Sequence, residues 1–315
     1  MKVWVYAGLL VQYGSGMVIA ILTIPITNAL GGNQNAWIKY GFIMALLVLL
    51  MLSICYMNGR KAKLVDEVSE NDSQDEEEAI PLKKSIPMLF KNKYWVILIL
   101  FNLITQITNS IAATSGTYYC KWIFGNDNLV ALAGAMGFFA TLIGFAVSKP
   151  IIAKLGVRKT IDFGVLGAAV TALIRCIIPT NFKVYIAVSV IGSFVQIPLM
   201  CLYGVLLAMV IDYNEYTYYN KMVGVSSGAI GIGTKIGSGV GSVILTACLA
   251  LGAYNPDLEV ATTSMRYAIY AFSNYLPLII NLGLFVLFRF FDLEEKLPAI
   301  HEELARRRSQ KSTEQ

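Results

Sequence analysis

Eight apolar runs leave this chain few ways to fold. They fall near residues 3–29, 36–57, 94–118, 129–153, 160–178, 183–211, 226–252 and 266–290. Each is long enough, as a helix rising about 1.5 Å per residue, to cross a hydrocarbon layer of about 30 Å. Backbone in lipid must satisfy its N–H and C=O groups internally, so runs of this length predict an all-α integral membrane protein with eight transmembrane helices. Composition agrees, with 56% hydrophobic and 14% charged residues over 315 positions and a mean hydropathy of +0.62. The first run exceeds the roughly 7–15 residues of a signal-peptide core, which makes it a span.

The same inventory argues against several classes of function. Cys55, Cys120, Cys176, Cys201 and Cys248 are widely spaced and form no CxxC pair, so neither a disulfide framework nor a zinc site is expected. The single histidine, His301, lies in a polar tail. There is no Ser/His/Asp set and no GxxxxGK[ST] phosphate loop, so the expectation is a non-enzyme without metal or cofactor. The net charge of +5 comes from lysines and arginines beside the spans and calls for no nucleic-acid partner.

Those cations also orient the chain. One set of loops holds seventeen lysines and arginines, whereas the opposite set holds Lys39, Lys121, Lys183 and Arg266. The positive-inside rule then places the long linker, the tail and both termini in the cytoplasm, which suits the plasma membrane of a cell. Residues 58–93 read as a solvated cytoplasmic linker, with an acidic run from Asp66 to Glu78 followed by Lys83, Lys84, Lys91 and Lys93. Two spans precede this linker and six follow. A six-helix bundle after a cytoplasmic linker is half of a twelve-helix plan. Residues 1–57 therefore read as the last two helices of a first bundle, 94–291 as a complete C-terminal bundle, and 292–315 as a partly helical cytoplasmic tail.

Polar residues inside the spans are the candidates for chemistry. Lys235 is the most exceptional, because a lysine near mid-bilayer costs about 2.5–3.5 kcal/mol on insertion scales. At 100° per residue, Gly228, Gly231, Ser238, Gly239 and Ser242 share its side of the seventh span. Val225, Ile232, Ile236, Val240 and Val243 form an aliphatic side, and Gly233, Gly237 and Gly241 form a third strip suited to close helix approach. The small neighbours leave room for a solute beside Lys235. The alternative is snorkelling to the cytoplasmic interface, a reach of roughly 13 Å along the helix.

The third span carries Asn102, Thr105, Gln106 and Asn109 on one stripe, opposite Val96, Leu100 and Leu103. Amides offer both donors and acceptors, as hydroxyl-rich solutes require. The same amides could instead bond helix to helix, worth about 1 kcal/mol each. Weaker stripes join Gln196, Met200 and Tyr203 beside Pro198, join Tyr267, Tyr270, Asn274 and Asn281, and join Gly8, Gln12, Gly16 and Thr23. Asp212, Glu215 and Tyr216 sit at the cytoplasmic end of the sixth span, as interfacial charges or as partners of Arg158, Lys159 or Lys221 in gate salt bridges. Arg175 near the outer end of the fifth span is open to the same two readings.

Met209-Val-Ile-Asp-Tyr-Asn-Glu-Tyr216, followed by Gly233-Thr-Lys-Ile-Gly-Ser-Gly239, resembles the glycoside–pentoside–hexuronide:cation symporter family, typified by the melibiose carrier, with the major facilitator fold. Leu22 to Gly32 and Ala153 to Lys159 are similar to other family segments, and the likeness runs from about residue 3 to 291. It implies helices five to twelve of a twelve-helix carrier, with the lysine matching Lys235 near the sugar and cation sites. It also implies that aspartates binding the cation lie on helices one, two and four, outside this chain. Met200 stands where the family sometimes has an aromatic residue, and Lys221 to Ser227 replace its usual charged pair.

The expected function is secondary active transport of a sugar or glycoside, coupled to Na⁺ or H⁺ by alternating access and incomplete in this fragment. Lys235, Asn102, Gln106, Asn109, Tyr203 and Asn274 are the candidate substrate-binding residues, and Asp212, Glu215 and Arg158 the candidate gate or structural ones. The expected partners are the sugar, the lipid bilayer and a chain supplying helices one to four. The alternatives are a lysolipid or other solute carrier, a non-transporting membrane interaction protein, and an inactive truncated product.

Overall fold

The structure is a computed structural model, described for residues 19, 23, 26, 27, 29–31, 33–69, 81–126 and 129–313, and for side chains outside 59–69, 82, 308 and 311–313. It divides into two compact units, Met1–Ala79 and Ile80–Gln315. No strand occurs among the described residues.

In the first unit, helix α1 spans Gln34–Ser69. The Asn33 side chain caps its start by accepting from Ala36 N at 2.9 Å. Its apolar residues Trp37, Ile38, Phe42 and Leu49 are about half exposed or more. A helix that is apolar and unburied over Gln34–Asn58 has the character of a span. A hydrogen bond of 2.7 Å joins Tyr40 to Thr23. Gly8, Gln12 and Gly16, and most of the span expected at 3–29, lie outside the described residues.

The second unit contains α2 (Leu82–Lys91), α3 (Lys93–Trp122), α4 (Leu129–Ile177), α5 (Phe182–Tyr218), α6 (Val223–Leu251), α7 (Thr263–Tyr270), a π turn (Ala271–Tyr275), α8 (Leu276–Phe288) and α9 (Leu293–Thr313). Side-chain caps start three of these helices. Asn92 accepts from Tyr94 N and Trp95 N, Asn181 from Lys183 N and Val184 N, and Thr262 from Met265 N. The π turn precedes Pro277, which has no N–H to give and crowds the Ser273 carbonyl one turn back, so the helix widens there.

Helix α4 holds two of the expected spans. Its helical run is interrupted at Gly156, where φ is 76° and ψ is 179°. Each arm, to Leu155 and from Val157, is long enough to cross about 30 Å. The connection expected over 154–159 thus shrinks to one residue. With α1, α3, α5, α6 and the joined α7–α8, seven spans are present among the described residues.

Two segments differ from their expected polar character. Residues 82–91, read from the sequence as solvated linker, form helix α2 with Ser85 and Leu89 buried one turn apart. Its apolar period is confined to ten residues, too short to stand out beside the acidic run. Helix α9 places Leu293, Ile300 and Leu304 in the core, at spacings that keep one face turned inward.

Two apolar clusters hold the bundle. One lies at the end from which α3 starts and joins Leu89, Tyr94, Phe101, Leu202, Phe288 and Ile300. The other lies at the far end and joins Tyr119, Trp122, Tyr185, Leu249, Met265 and Phe272. Exposed apolar side chains such as Phe139, Val170, Ile232, Val243, Ile279 and Val286 cover the outside, as a lipid-facing surface requires.

Candidate functional site

The site is organised by α6 lying against α3. Cβ atoms added at Gly237 and Gly241 would each fall 2.7 Å from a backbone oxygen of α3, those of Leu103 and Ile107. Only glycine permits that approach, so the strip spaced by four along α6 is a packing surface. Short polar side chains complete the seam. The Thr234 hydroxyl lies 3.1 Å from Asn102 Oδ1, and Ser110 donates to the Ser238 carbonyl at 2.9 Å and lies 3.1 Å from Ser242 Oγ.

Packing by the glycine strip decides where Lys235 goes. It occupies the other side of α6 and is exposed. Cβ atoms at Gly228, Gly231 and Gly239, on its side, would meet nothing within 4 Å. Ser242, on the same side, reaches Ser110 of α3, so the lysine face adjoins the edge of that helix.

The stripe on α3 divides. Asn102 is buried and bonded to Thr234, which leaves its amide nitrogen as the remaining donor. Gln106 is half-buried at the seam, beside Gly237, and Asn109 is exposed. Tyr203 brings its ring to 6.1 Å from that of Phe101. Its buried hydroxyl lies beside Asn102 without meeting hydrogen-bond geometry. Asn102, Gln106, Tyr203 and Thr234 therefore form one constellation at the α3–α6 seam and its α5 neighbour.

Asn274 belongs elsewhere. It is fully buried in the π turn and its amide donates to Tyr119 Oη at 3.0 Å. Tyr119 donates to the Pro179 carbonyl at 2.8 Å, and Ser115 to Ser273 at 2.7 Å. Arg175, near the same cluster, donates to Ser189 Oγ at 2.7 Å and stacks over Tyr185 at 5.0 Å. This polar knot ties α3, α4, α5 and the π turn together at the far end of the bundle.

The gate candidates gather at the other end, around α9. Asp212 is partnered by His301 Nε2 at 3.0 Å rather than by Arg158, Lys159 or Lys221. Arg158 donates from its guanidinium to the Phe291 carbonyl at 3.0 Å and from its backbone to Glu294 at 2.8 Å. Glu215 lies in the last turn of α5, where its carbonyl accepts from Tyr219 N. Arg307 donates to the Tyr216 carbonyl at 3.0 Å and lies over the Tyr219 ring. Asp292 accepts from Lys296 at 2.6 Å and Lys93 at 2.9 Å, and from Tyr94 Oη at 2.8 Å. The Lys296 ammonium foremost, then Lys93, holds its carboxyl well below the usual carboxylate range.

Two participants were missed from the sequence. Thr234 had a usable signal, since it lies within about 20° of Gly241 on the helical wheel. Glu294 had none, because its partners are 136 and 137 residues away. Among the described residues no three His, Cys, Asp or Glu side chains come together as a metal site.

The profile of the family described as "MFS/sugar transport protein" matches residues 6–295, nearly the whole chain. The chain belongs to the MFS/sugar transport protein family. This membership agrees with the resemblance read from Met209–Tyr216 and Gly233–Gly239, and it makes the helical bundle that of a multi-pass membrane protein. The chain is 24% identical over 247 residues to the isoprimeverose transporter of Lactiplantibacillus pentosus, covering 75% of this chain and 49% of that one. It is 23% identical over 297 residues to the inner membrane symporter YicJ of Escherichia coli (strain K12), covering 92% and 62%. The chain thus spans about half to three-fifths of the length of these curated relatives.

Proposed function

We propose that this chain is part of a carrier that moves a sugar or glycoside, coupled to Na⁺ or H⁺, by alternating access. Residues 1–57 contribute the last two helices of one bundle, 58–93 connect, 94–291 form the second bundle and 292–315 its tail. The linker, the tail and both termini lie in the cytoplasm of a cell whose plasma membrane holds the protein. Helices one to four of the working carrier bring the carboxylates that hold the cation.

The observation that carries this reading is the division of α6. Its glycine strip seats on α3, and Lys235 is left on an open side lined by small residues. A charge kept at mid-span suits a water-filled path rather than lipid. Asn102, Gln106 and Tyr203 supply donors and acceptors for hydroxyls along the α3 side, with Asn109 exposed beyond them. Asn274 would act further along, through the polar knot at the far end. Asp212, Glu215 and Arg158 would stiffen the cytoplasmic end while the bundles rock.

The test is uptake in cells by a carrier that combines this chain with helices one to four. Lys235→Met is expected to reduce ion-coupled sugar uptake at least tenfold while the protein still inserts. Uptake at the wild-type level, with the same ion dependence, would remove Lys235 from the mechanism.

A further inference from the structure

We propose that the Leu82–Lys91 helix lies in the membrane–water interface and binds anionic lipid headgroups. The inference rests on the chain being embedded in a bilayer, and not on the transport reading.

The helix has three strips. Ser85 and Leu89 are buried where it packs on α3 and the start of α6. Beside them Ile86 and Phe90 are 41% and 65% exposed. Further round stand exposed Lys83, Lys84 and Lys91. The helix contains no acidic residue, and among the described residues no carboxylate pairs with these three lysines.

Neither water nor the hydrocarbon core suits both outer strips. Water leaves the phenylalanine and isoleucine unfavourably hydrated, and the core desolvates three ammonium groups. The interface satisfies both at once, with the apolar strip at the acyl boundary and the ammonium groups among phosphates. The chain itself sets the depth. Asn92 alone separates Lys91 from Lys93, where the apolar span to Trp122 starts. Asn92 is extended, with φ −79° and ψ 103°, so α2 departs from the line of the span. The Phe90 ring meets Trp95 edge-on at 5.3 Å, which ties the exposed strip to the first turn of that span. Phe290, 64% exposed, lies two residues before Asp292, the acceptor of Lys93.

Three lysines with no carboxylate partner among the described residues point to an anionic occupant, and their position at a span's edge points to lipid. The rival occupant is the acidic run from Asp66 to Glu78, earlier in the same chain.

The test uses the full chain with native cysteines removed, a nitroxide at Ile86→Cys, and reconstitution into vesicles. One set is phosphatidylcholine alone, and the other contains about 30% phosphatidylglycerol. Collision with lipid-soluble oxygen is compared with collision with a water-soluble nickel chelate. The anionic vesicles are expected to protect the label from nickel several-fold more than the neutral ones, and Lys83→Gln/Lys84→Gln/Lys91→Gln is expected to abolish that difference. A second label at Ile279→Cys, on an exposed mid-span position, should stay oxygen-accessible in every sample and so report intact insertion. Equal nickel accessibility in both vesicles overturns headgroup binding, whether the label is deep or shallow in both. A nickel accessibility that responds to neutralising residues 66–78 but not to lipid charge assigns the lysines to the acidic run and also overturns it.

Discussion

The carboxylate of Glu294 accepts the backbone N–H of Val157 at 2.9 Å, and its second oxygen accepts that of Arg158 at 2.8 Å, immediately beyond the break at Gly156. Val157 and Arg158 open the second arm of α4, where helical N–H groups have no partner within the helix. An anion there satisfies two donors and opposes the positive end of the helix dipole. The tail helix α9 therefore caps a spanning helix that precedes it by well over a hundred residues.

Removing the cap should be measurable. Glu294→Ala is expected to lower stability by about 1 kcal/mol, within the roughly 0.5–2 kcal/mol range of helix caps. Gly156→Ala should cost about 1–3 kcal/mol, because its φ of 76° with ψ of 179° suits glycine alone. Thermal unfolding in detergent reads both. The two changes should be non-additive, since a Cβ at residue 156 would lie 3.3 Å from Glu294 Oε1. An unchanged melting temperature in Glu294→Ala would mean that the cap contributes nothing to stability.

Two glycines of α6 should respond with opposite sign. A Cβ at Gly237 would lie 2.7 Å from the Leu103 oxygen, so Gly237→Ala must push α6 off α3, at a cost of about 1–3 kcal/mol. A Cβ at Gly239 would meet nothing within 4 Å, so Gly239→Ala should be neutral or gain up to about 1 kcal/mol from helix propensity. The comparison is a pair of melting curves in one detergent. A loss of similar size at both positions would refute close α3–α6 packing as the cause.

The Asp292 cluster predicts a pH dependence. Its carboxyl is held below the model-compound value of 3.8 in the folded protein, chiefly by Lys296 and then Lys93. A depressed carboxylate stabilises the fold above its unfolded pKa, and that contribution is lost as pH falls through the folded one. The melting difference between wild type and Asp292→Asn should thus be constant from pH 5 to 7 and shrink below pH 3.8. It should be small throughout and reduced by salt, because the Lys93–Asp292 pair is 56% and 37% exposed. A difference that grows as the solution is acidified would contradict the assignment.

Topology is open to direct labelling. From the seventeen-to-four division of lysines and arginines we expect the linker and the α6–α7 connection on opposite sides of the membrane. Single cysteines replacing Ser73 and Thr262, in a background without native cysteines, should react with an impermeant maleimide from opposite faces. Labelling of both from one face would refute the arrangement.

Particular residues show how far the sequence could be read. The strip Gly233, Gly237 and Gly241 was legible because a 3.6-residue period fixes which residues share a side, and small residues at spacing four have few other uses in a span. The separation of Lys235 from that strip was legible for the same reason. Asn274 shows the limit: it shares a stripe with Tyr267 and Tyr270, yet the structure seals it against Tyr119. A wheel reports a side of a helix, not what faces it. Helix α2 shows another limit, since its apolar period lasts ten residues inside a charged stretch.

The sequence by itself determined that the chain is helical and that it spans a membrane several times. These are local consequences of run length and charge, because lipid excludes unsatisfied backbone and charge at every position separately. Only the tertiary structure decided that Thr234 meets Asn102, that Asp212 pairs with His301, and that Glu294 caps the helix after Gly156. Each of these joins groups at least 89 residues apart, and no local period encodes which distant side chain arrives at a given helix end.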